Sequence, residues 1–583
     1  MVGAADYLEA LKRRILEEKR CGLARLEALW ALPLAKRVRK CRAIGPLKVL
    51  NVQREGRRFL CHFEPSSDDM AAFRDGDRLR LSQDAPNGAA WIRAEFLGLT
   101  EMGLSVALTE PIGPELRGWT LDEDFFDLSG FYLAGLDELA ATDHGRDWVL
   151  PVLMGEEIEQ DYDDEAGEDG AASAEQAGAN DSQAAAVAAC VGAEIYHLVQ
   201  GPPGTGKTQV LAMVVSEMVK QGKRVLVTAF THRAIHHALR QISARVSCPV
   251  MKISDLIPQD RDGIVFAHDF AQTGLVGHPG PYVLGITPVS LATFRGKAAD
   301  FDVAVIDEAS QMRVEAAVLP MLRAKRWFFF GDHQQLPPVV QRPVIDPRED
   351  SVFAALAGRQ HQTMLLETYR MNAELVRWPS ENFYAGELRA SRLTAGRRFG
   401  MEVAATDSLL DAQPAMVRRE FDHKGCKSHS DVEVNATIGL IEEMLAGGIT
   451  PADIGVVVPF RAQAARIRRC LSFERFSRFA GIPGLAVDTV ERFQGQERKV
   501  MIVSFTASDP EFIEQLADFL IYPQRLNVAV TRARTKVILL HSRALRRWLE
   551  KRAGSADEQA ALALSLLRAA VERQPEPFVQ WRA

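Results

Sequence analysis

The spacing of apolar and polar positions changes character along this chain. Residues 5–40 repeat apolar positions at helical intervals and predict one long helix. Residues 46–132 switch to short alternating runs, LKVLNV, RRFLCHF, DRLRLSQ, AWIRAEFLGL and GLSVAL. Turn signals at Arg74-Asp75-Gly76-Asp77 and Pro86-Asn87-Gly88 separate them, which predicts a small β-barrel. From Tyr196 onward, apolar runs of strand length alternate with helical stretches. YHLVQ, RVLVTAF, YVLGIT, VAVIDEA and RWFFFGD form one series; IGVVVPF, AVDTV, VMIVSFT and VILLHS form a second. Strands buried on both faces and separated by helices predict two parallel α/β layers. Ala556–Glu572 is an Ala/Leu-rich helical stretch suited to packing on a core.

Composition changes this picture only in places. The chain has 583 residues, 47% of them apolar and 25% charged, as expected of a soluble protein of several domains. No run is apolar enough to cross a bilayer, and the N-terminus lacks the apolar stretch of a secretory signal. The seven cysteines are scattered, with no CxxC pair, so neither a disulfide framework nor a zinc or iron–sulfur site is expected, and the cytoplasm is the expected compartment. The net charge of −7 is unevenly spread: eleven acids and no base lie between Glu156 and Asp181. The rest of the chain is therefore slightly positive and can offer a basic face to a polyanion. The ten bases of residues 5–40 (Lys12, Arg13, Arg14, Lys19, Arg20, Arg25, Lys36, Arg37, Arg39, Lys40) are either a solvated helix face or a nucleic-acid contact. Residues 155–181, acidic and then rich in Ala, Gly and Ser, read as a flexible linker or exposed loop, with 156–169 a candidate protein-binding segment.

Two motifs carry chemistry. Gly201-Pro202-Pro203-Gly204-Thr205-Gly206-Lys207-Thr208 fits GxxxxGK[ST], between an apolar strand and the helical stretch beginning at Gln209. Its glycines let backbone N–H groups close around phosphate, and the helix N-terminus adds positive potential. Lys207 then serves the β- and γ-phosphates, and Thr208 serves Mg²⁺. Val303-Ala304-Val305-Ile306-Asp307-Glu308 ends an apolar strand in two acids. Asp307 suits the metal shell, and Glu308 suits activation of water. ATP and Mg²⁺ are the expected cofactors. His232, His236 and His237 cluster, but without cysteines or a matched carboxylate they read as groove-lining residues.

Four further segments narrow the reading. They are Gly331-Asp332-His333-Gln334-Gln335-Leu336-Pro337-Pro338; Thr368-Tyr369-Arg370-Met371-Asn372 with Trp378–Tyr384; Val487–Glu497; and Arg525–Arg534. In this order, over about residues 180–545, they resemble the motifs of superfamily 1 helicases, most nearly the 5′→3′ branch that holds the nonsense-mediated-decay and immunoglobulin mu-binding-protein helicases. The resemblance implies two RecA-like P-loop domains with ATP between them, preceded by a helical stalk and small barrel. By position it implies that Gln183 reads adenine and Tyr369 stacks on it. Gln335 senses the γ-phosphate, Arg370 and Arg532 reach that phosphate from the second domain, and Glu497 touches ribose or phosphates. Thr231, His232, Thr287, Pro459, Phe460 and Thr489, all just past strands, match positions from which the family touches the nucleic-acid backbone. Phe460 would stack on a base, worth roughly 1–3 kcal/mol. The sequence lacks the Cys/His-rich zinc module and the iron–sulfur nuclease cysteines of larger relatives, so neither feature is expected.

The expected organisation is a stalk helix (1–45), barrel (46–132), second stalk segment and acidic linker (133–181), first RecA-like domain (182–345), second RecA-like domain (346–550) and C-terminal helix and tail (551–583). The expected activity is ATP-driven unwinding or translocation on single-stranded DNA or RNA, 5′→3′, by a monomer away from any membrane. An ATP-gated clamp or remodelling subunit is the alternative. An AAA-type oligomer accounts for the P-loop alone.

Overall fold

The computed structural model describes residues 3–40, 42–55, 58–65, 73, 77–83, 86–88, 90–100, 103–112, 117–156, 158–254, 261–293, 299–343, 351–359, 361–402, 407–471, 484–493 and 495–573. Cys41, the turn residues Arg74–Gly76, Glu157, Gln494 and the start of the expected second domain at 346–350 lie outside them. The chain divides into two compact units, residues 1–19 with 127–395 and residues 20–126 with 396–583.

The N-terminal helix is shorter than its pattern predicts. Helix α1 (Ala4–Trp30) ends before Pro33, and α2 (Leu34–Arg39) follows. Proline disfavours helical backbone at the residue before it, which stops α1 there. Many of its bases have structural partners. Lys12 meets Asp137 at 2.6 Å, Lys19 meets Asp127 at 2.7 Å and Arg25 meets Glu123 at 3.0 Å. Arg37 and Asp122 form a buried pair. These residues therefore serve the fold, whichever role falls to the other bases.

The barrel is closed. Its strands are β1 (Ala43–Glu55), β2 (Arg58–Pro65), β3 (Arg78–Ser82), β4 (Ile92–Thr100), β5 (Gly103–Leu108) and β6 (Arg117–Glu123). They run in the order β1-β2-β5-β4-β3-β6, with β6 pairing back onto β1. Closure removes the sheet edges, and alternate side chains (Cys61, Phe63, Leu79, Leu81, Leu104, Val106) fill the interior.

Next come α3 (Ser129–Ala141), α4 (Leu150–Met154), α5 (Asp164–Gln176) and α6 (Asp181–Gly192). Helix α5 corrects the expected flexible linker. Asp163 caps it by accepting from Ala166 N at 3.0 Å. Its Gly167, Gly170 and Ala174 are buried, and a Cβ on Gly170 would stand 3.1 Å from Val191. Composition that reads as flexible is thus a small-residue face for close helix packing. Asp164, Glu165, Glu168 and Asp169 point outward.

The first unit is built on an eight-stranded sheet. Its strands are β7 (Tyr196–Gln200), β8 (Val225–Thr228), β9 (Val250–Ile253), β10 (Val265–Ala267), β11 (Val283–Gly285), β12 (Phe301–Ile306), β13 (Ala324–Gly331) and β14 (Gln362–Met364). They are all parallel, in the order β10-β9-β11-β8-β12-β13-β7-β14. Helices α7 (Lys207–Lys220), α8 (His232–Ser243), α9 (Pro288–Ala292), α10 (Val314–Met321) and α11 (Val352–Leu356) flank it. Successive side chains of β13 serve opposite cores, Trp327 and Phe329 on one face, Phe328 and Phe330 on the other. Full burial of each is worth about 1.5–3 kcal/mol. Because β14 pairs with β7, this unit extends past the boundary expected at residue 345. It also takes in a short pair, β15 (Glu367–Thr368) and β16 (Arg389–Ala390), and α12 (Ala373–Phe383).

The second unit holds a six-stranded parallel sheet: β17 (Met416–Phe421), β18 (Ile454–Val458), β19 (Ala486–Thr489), β20 (Arg498–Ser504), β21 (Ala533–Ser542) and β22 (Val571–Glu572), ordered β19-β18-β20-β21-β17-β22. Helices α13 (Asp431–Ala446), α14 (Arg461–Leu471), α15 (Pro510–Gln515), α16 (Ala517–Leu520), α17 (Pro523–Thr531), α18 (Arg543–Ala553) and α19 (Glu558–Ala569) accompany it. The barrel belongs to this unit, with Ala465 of α14 against its core and Arg492 3.8 Å from Asp77. The α/β class with two parallel sheets and a barrel holds. No helix among the described residues is long and apolar enough to cross a membrane.

Candidate active site

The P-loop leaves β7 and turns into α7, at the carboxyl end of a parallel sheet, where such folds place their ligands. Gly201 N donates to Gly331 O at 2.9 Å, tying the loop to the end of β13. A Cβ on Gly201 would stand 2.8 Å from Lys207 Cβ, so a larger residue would displace the lysine stem. Gly204 has φ +76°, and a Cβ there would meet Arg370 Cβ at 2.4 Å. Only glycine satisfies both demands cheaply.

Lys207 Nζ lies 3.1 Å from Glu308 Oε1 and 3.4 Å from Asp307 Oδ1. Burial pulls the lysine pKa down, but the two acids outweigh it and raise it. Burial raises that of Asp307. Glu308 has φ +50°, in the left-handed region that non-glycine residues seldom adopt. Such strain costs on the order of 1–3 kcal/mol and clusters at functional sites. Thr208 stands in the first turn of α7, beside Lys207. A hydroxyl and one buried carboxylate fit the hard, mostly oxygen shell of Mg²⁺.

Of the other residues expected around the nucleotide, Gln183, Tyr369 and Arg370 meet the same loop. Gln183 Nε2 donates to Thr205 O at 2.9 Å, and its Oε1 accepts from Asn180 N at 3.0 Å. Asn180 Nδ2 donates to the Tyr369 hydroxyl at 2.8 Å. Tyr369 N donates to Gly204 O at 2.8 Å, and Thr368 Oγ1 donates to Pro203 O at 2.7 Å. Pro202 accepts from the Thr205 hydroxyl, and Gln209 N donates to Gly206 O. Arg370 is therefore part of the P-loop unit. The resemblance placed it in the second domain, and the packing of Thr368–Arg370 on the loop moves it. Gln335 Nε2 donates to Asp332 Oδ2 at 2.9 Å.

Arg532 and Glu497 lie in the second unit. Arg532 is buried at the end of α17, where its carbonyl accepts from Arg498 N at 2.9 Å. Glu497 accepts from Arg534 Nε at 2.9 Å. Among the residues expected to touch nucleic acid, Thr231 caps α8 and Thr287 caps α9. Thr231 and His232 are exposed, and the His232 carbonyl accepts from the buried Lys252 ammonium at 3.0 Å. Pro459 and Phe460 follow β18, as expected. The Phe460 ring lies 5.8 Å from that of Phe519 and 5.5 Å from that of Phe512. Thr489 is buried at the end of β19.

Sequence reasoning assigned no role to Asn180, Gln200, Lys252, Asp332, Thr368 or Tyr384. Most lie inside quoted motifs; what they do becomes visible only when distant segments meet.

This loop, lysine and acid pair on a parallel sheet define a P-loop nucleotide-binding protein. Family models described as "AAA domain" match residues 178–400 and 348–544. The chain is 26% identical over 409 residues to DNA replication ATP-dependent helicase/nuclease DNA2 of Saccharomyces cerevisiae, covering 62% of this chain and 26% of that protein. It is 26% identical over 430 residues to DNA-binding protein SMUBP-2 of Rattus norvegicus, covering 62% of this chain and 42% of that protein. The chain thus spans less than half the length of either relative, and the resemblance to superfamily 1 helicases holds over the shared part. The solved Arterivirus nonstructural protein 10 (helicase) aligns over 91% of this chain and 82% of that chain at 13% identity, with a TM-score of 0.37.

Proposed function

We propose that this protein is an ATP-driven helicase or translocase on single-stranded nucleic acid, moving 5′→3′, with DNA favoured over RNA. The observation that carries the ATPase part is the Lys207 ammonium held between Asp307 and Glu308 beside a glycine-built phosphate cradle. The printed names of both relatives, a DNA replication helicase and a DNA-binding protein, support DNA as the track.

Lys207 trades its carboxylate partners for the β- and γ-phosphates. A Mg²⁺ ion held by Thr208 and Asp307 neutralises phosphate charge when bound. Glu308, released from the lysine, orients the attacking water and takes its proton. Gln335 contacts the γ-phosphate, and Arg370 and Arg532 stabilise the charge that spreads over its oxygens. Arg532 comes from the second unit, so hydrolysis requires the two units to close and couples chemistry to motion. Gln183, Tyr369 and Glu497 serve the nucleoside. Thr231, His232, Thr287, Pro459, Phe460 and Thr489 serve the strand, from hydroxyl and backbone groups that ignore base identity. The outward acids of α5 are a candidate surface for a protein partner.

The test is strand displacement on duplexes with a 5′ or a 3′ overhang, in DNA/DNA, RNA/DNA and RNA/RNA form. ATP-dependent displacement from the 5′ overhang, greatest on DNA/DNA, is expected. Strand-stimulated ATP turnover with no displacement on any substrate would favour the ATP-gated clamp.

A further inference from the structure

Asp332 follows the last residue of β13 and is 1% exposed. A bare buried carboxylate would be costly, and this one is fully met. Its Oδ1 accepts from Gln200 Nε2 at 3.2 Å and from Gln334 N at 3.1 Å. Its Oδ2 accepts from Gln335 Nε2 at 2.9 Å and from the Tyr384 hydroxyl at 2.8 Å. A carboxylate has about four acceptor sites, so no further donor is needed.

The four donors come from segments with different tasks. Gln200 ends the P-loop strand and precedes Gly201. Gln334 and Gln335 belong to the loop after β13. Tyr384 caps the C-terminus of α12 and is itself buried at 2% exposure. Ahead of α12 in the chain, Thr368 and Tyr369 hydrogen-bond to Pro203 and Gly204 of the P-loop. Gln335 and the Tyr384 hydroxyl share one carboxylate oxygen, so moving either changes the geometry available to the other. Gln335 is thus oriented by an acid that the tyrosine orients in turn.

We propose that Tyr384 is a positioning residue for ATP turnover, its hydroxyl holding Asp332 so that the Gln335 carboxamide is set toward the γ-phosphate. The inference rests on the reading of Gln335 as the phosphate sensor. Tyr384 touches neither substrate nor metal; it acts through Asp332.

The experiment compares wild type, Tyr384→Phe, Gln335→Ala and the double variant in strand-stimulated ATP hydrolysis. Affinity for a non-hydrolysable ATP analogue is measured alongside. Tyr384→Phe keeps the ring and removes one donor. It is expected to lower kcat about tenfold, as small misplacements of a reacting geometry do, with KM for ATP and analogue affinity unchanged. The double variant is expected to match Gln335→Ala alone, because the hydroxyl works through that glutamine. The pH profile adds a readout that a purely structural tyrosine would not move. Asp332, faced by Gln200, Gln334 N, Gln335, Tyr384 and His333, whose own pKa burial pushes down, loses a donor in Tyr384→Phe, so the acid limb of kcat shifts to higher pH. Wild-type kcat in Tyr384→Phe beside an impaired Gln335→Ala would overturn the proposal and leave the sensor reading standing. So would effects that multiply in the double variant, or loss of analogue binding in Tyr384→Phe, which would make the hydroxyl a folding group. Wild-type kcat in Gln335→Ala would overturn the sensor reading and the proposal together.

Discussion

The Lys207 ammonium rests 3.1 Å from the carboxylate of Glu308, a residue whose backbone is held at φ +50°. In the proposed mechanism Lys207 meets phosphate and Glu308 meets water. In that mechanism the phosphates take over the lysine and leave the glutamate to act on water.

Glu308→Gln keeps the side-chain shape but removes the proposed base. ATP binding is expected to persist while kcat falls on the order of 10²–10⁴-fold, the range for a general base. Equilibrium binding of a fluorescent ATP analogue, set beside steady-state turnover, checks this. Equal loss of both would point to a structural role for Glu308.

Phe460 was expected to stack on a base, and the structure seats its ring with Phe512 and Phe519. Phe460→Ala should therefore destabilise the second unit, by about 1–3 kcal/mol for a half-buried aromatic, below the range for full burial. It is also expected to weaken strand affinity. Thermal unfolding and oligonucleotide titration separate the two effects. An unchanged unfolding midpoint would show that the aromatic cluster contributes nothing to the fold.

His197, on β7 with Thr363 Oγ1 2.9 Å from its Nε2, is held neutral mainly by burial and secondly by His361, which together push its pKa down to about 3. The unfolded chain binds this proton near pH 6.5 and the folded one does not. Stability from this group is thus complete above pH 6.5 and is lost as pH falls toward 3, by about 1.4 kcal/mol per unit. His197→Gln should flatten the acid limb of unfolding free energy against pH. Parallel limbs in the two proteins would contradict the assignment.

Much of this was legible in the chain. The barrel shows because alternation writes closed sheets plainly, and the strands flanking the P-loop show because both faces are apolar. Other elements were hidden for physical reasons. Strand β17 carries Arg419, buried at 1% exposure and paired to Asp407 at 2.7 Å, so a core strand reads as surface. Helix α5 reads as linker because its packing face is glycine and alanine. Arg370 was assigned to the wrong unit because motif order does not say which sheet a segment folds onto. The P-loop, Asp307 and Glu308 could be found because their chemistry is local in sequence. The carboxylate hub at Asp332 could not, because its donors are separated by up to 184 residues between Gln200 and Tyr384 and meet only in the fold.

ATP turnover with and without single-stranded oligonucleotide, in wild type and Lys207→Ala, tests whether this site drives a motor on nucleic acid. Turnover is expected to rise severalfold with the strand and to disappear in the variant. Turnover indifferent to every DNA and RNA strand, or undiminished in Lys207→Ala, would contradict it.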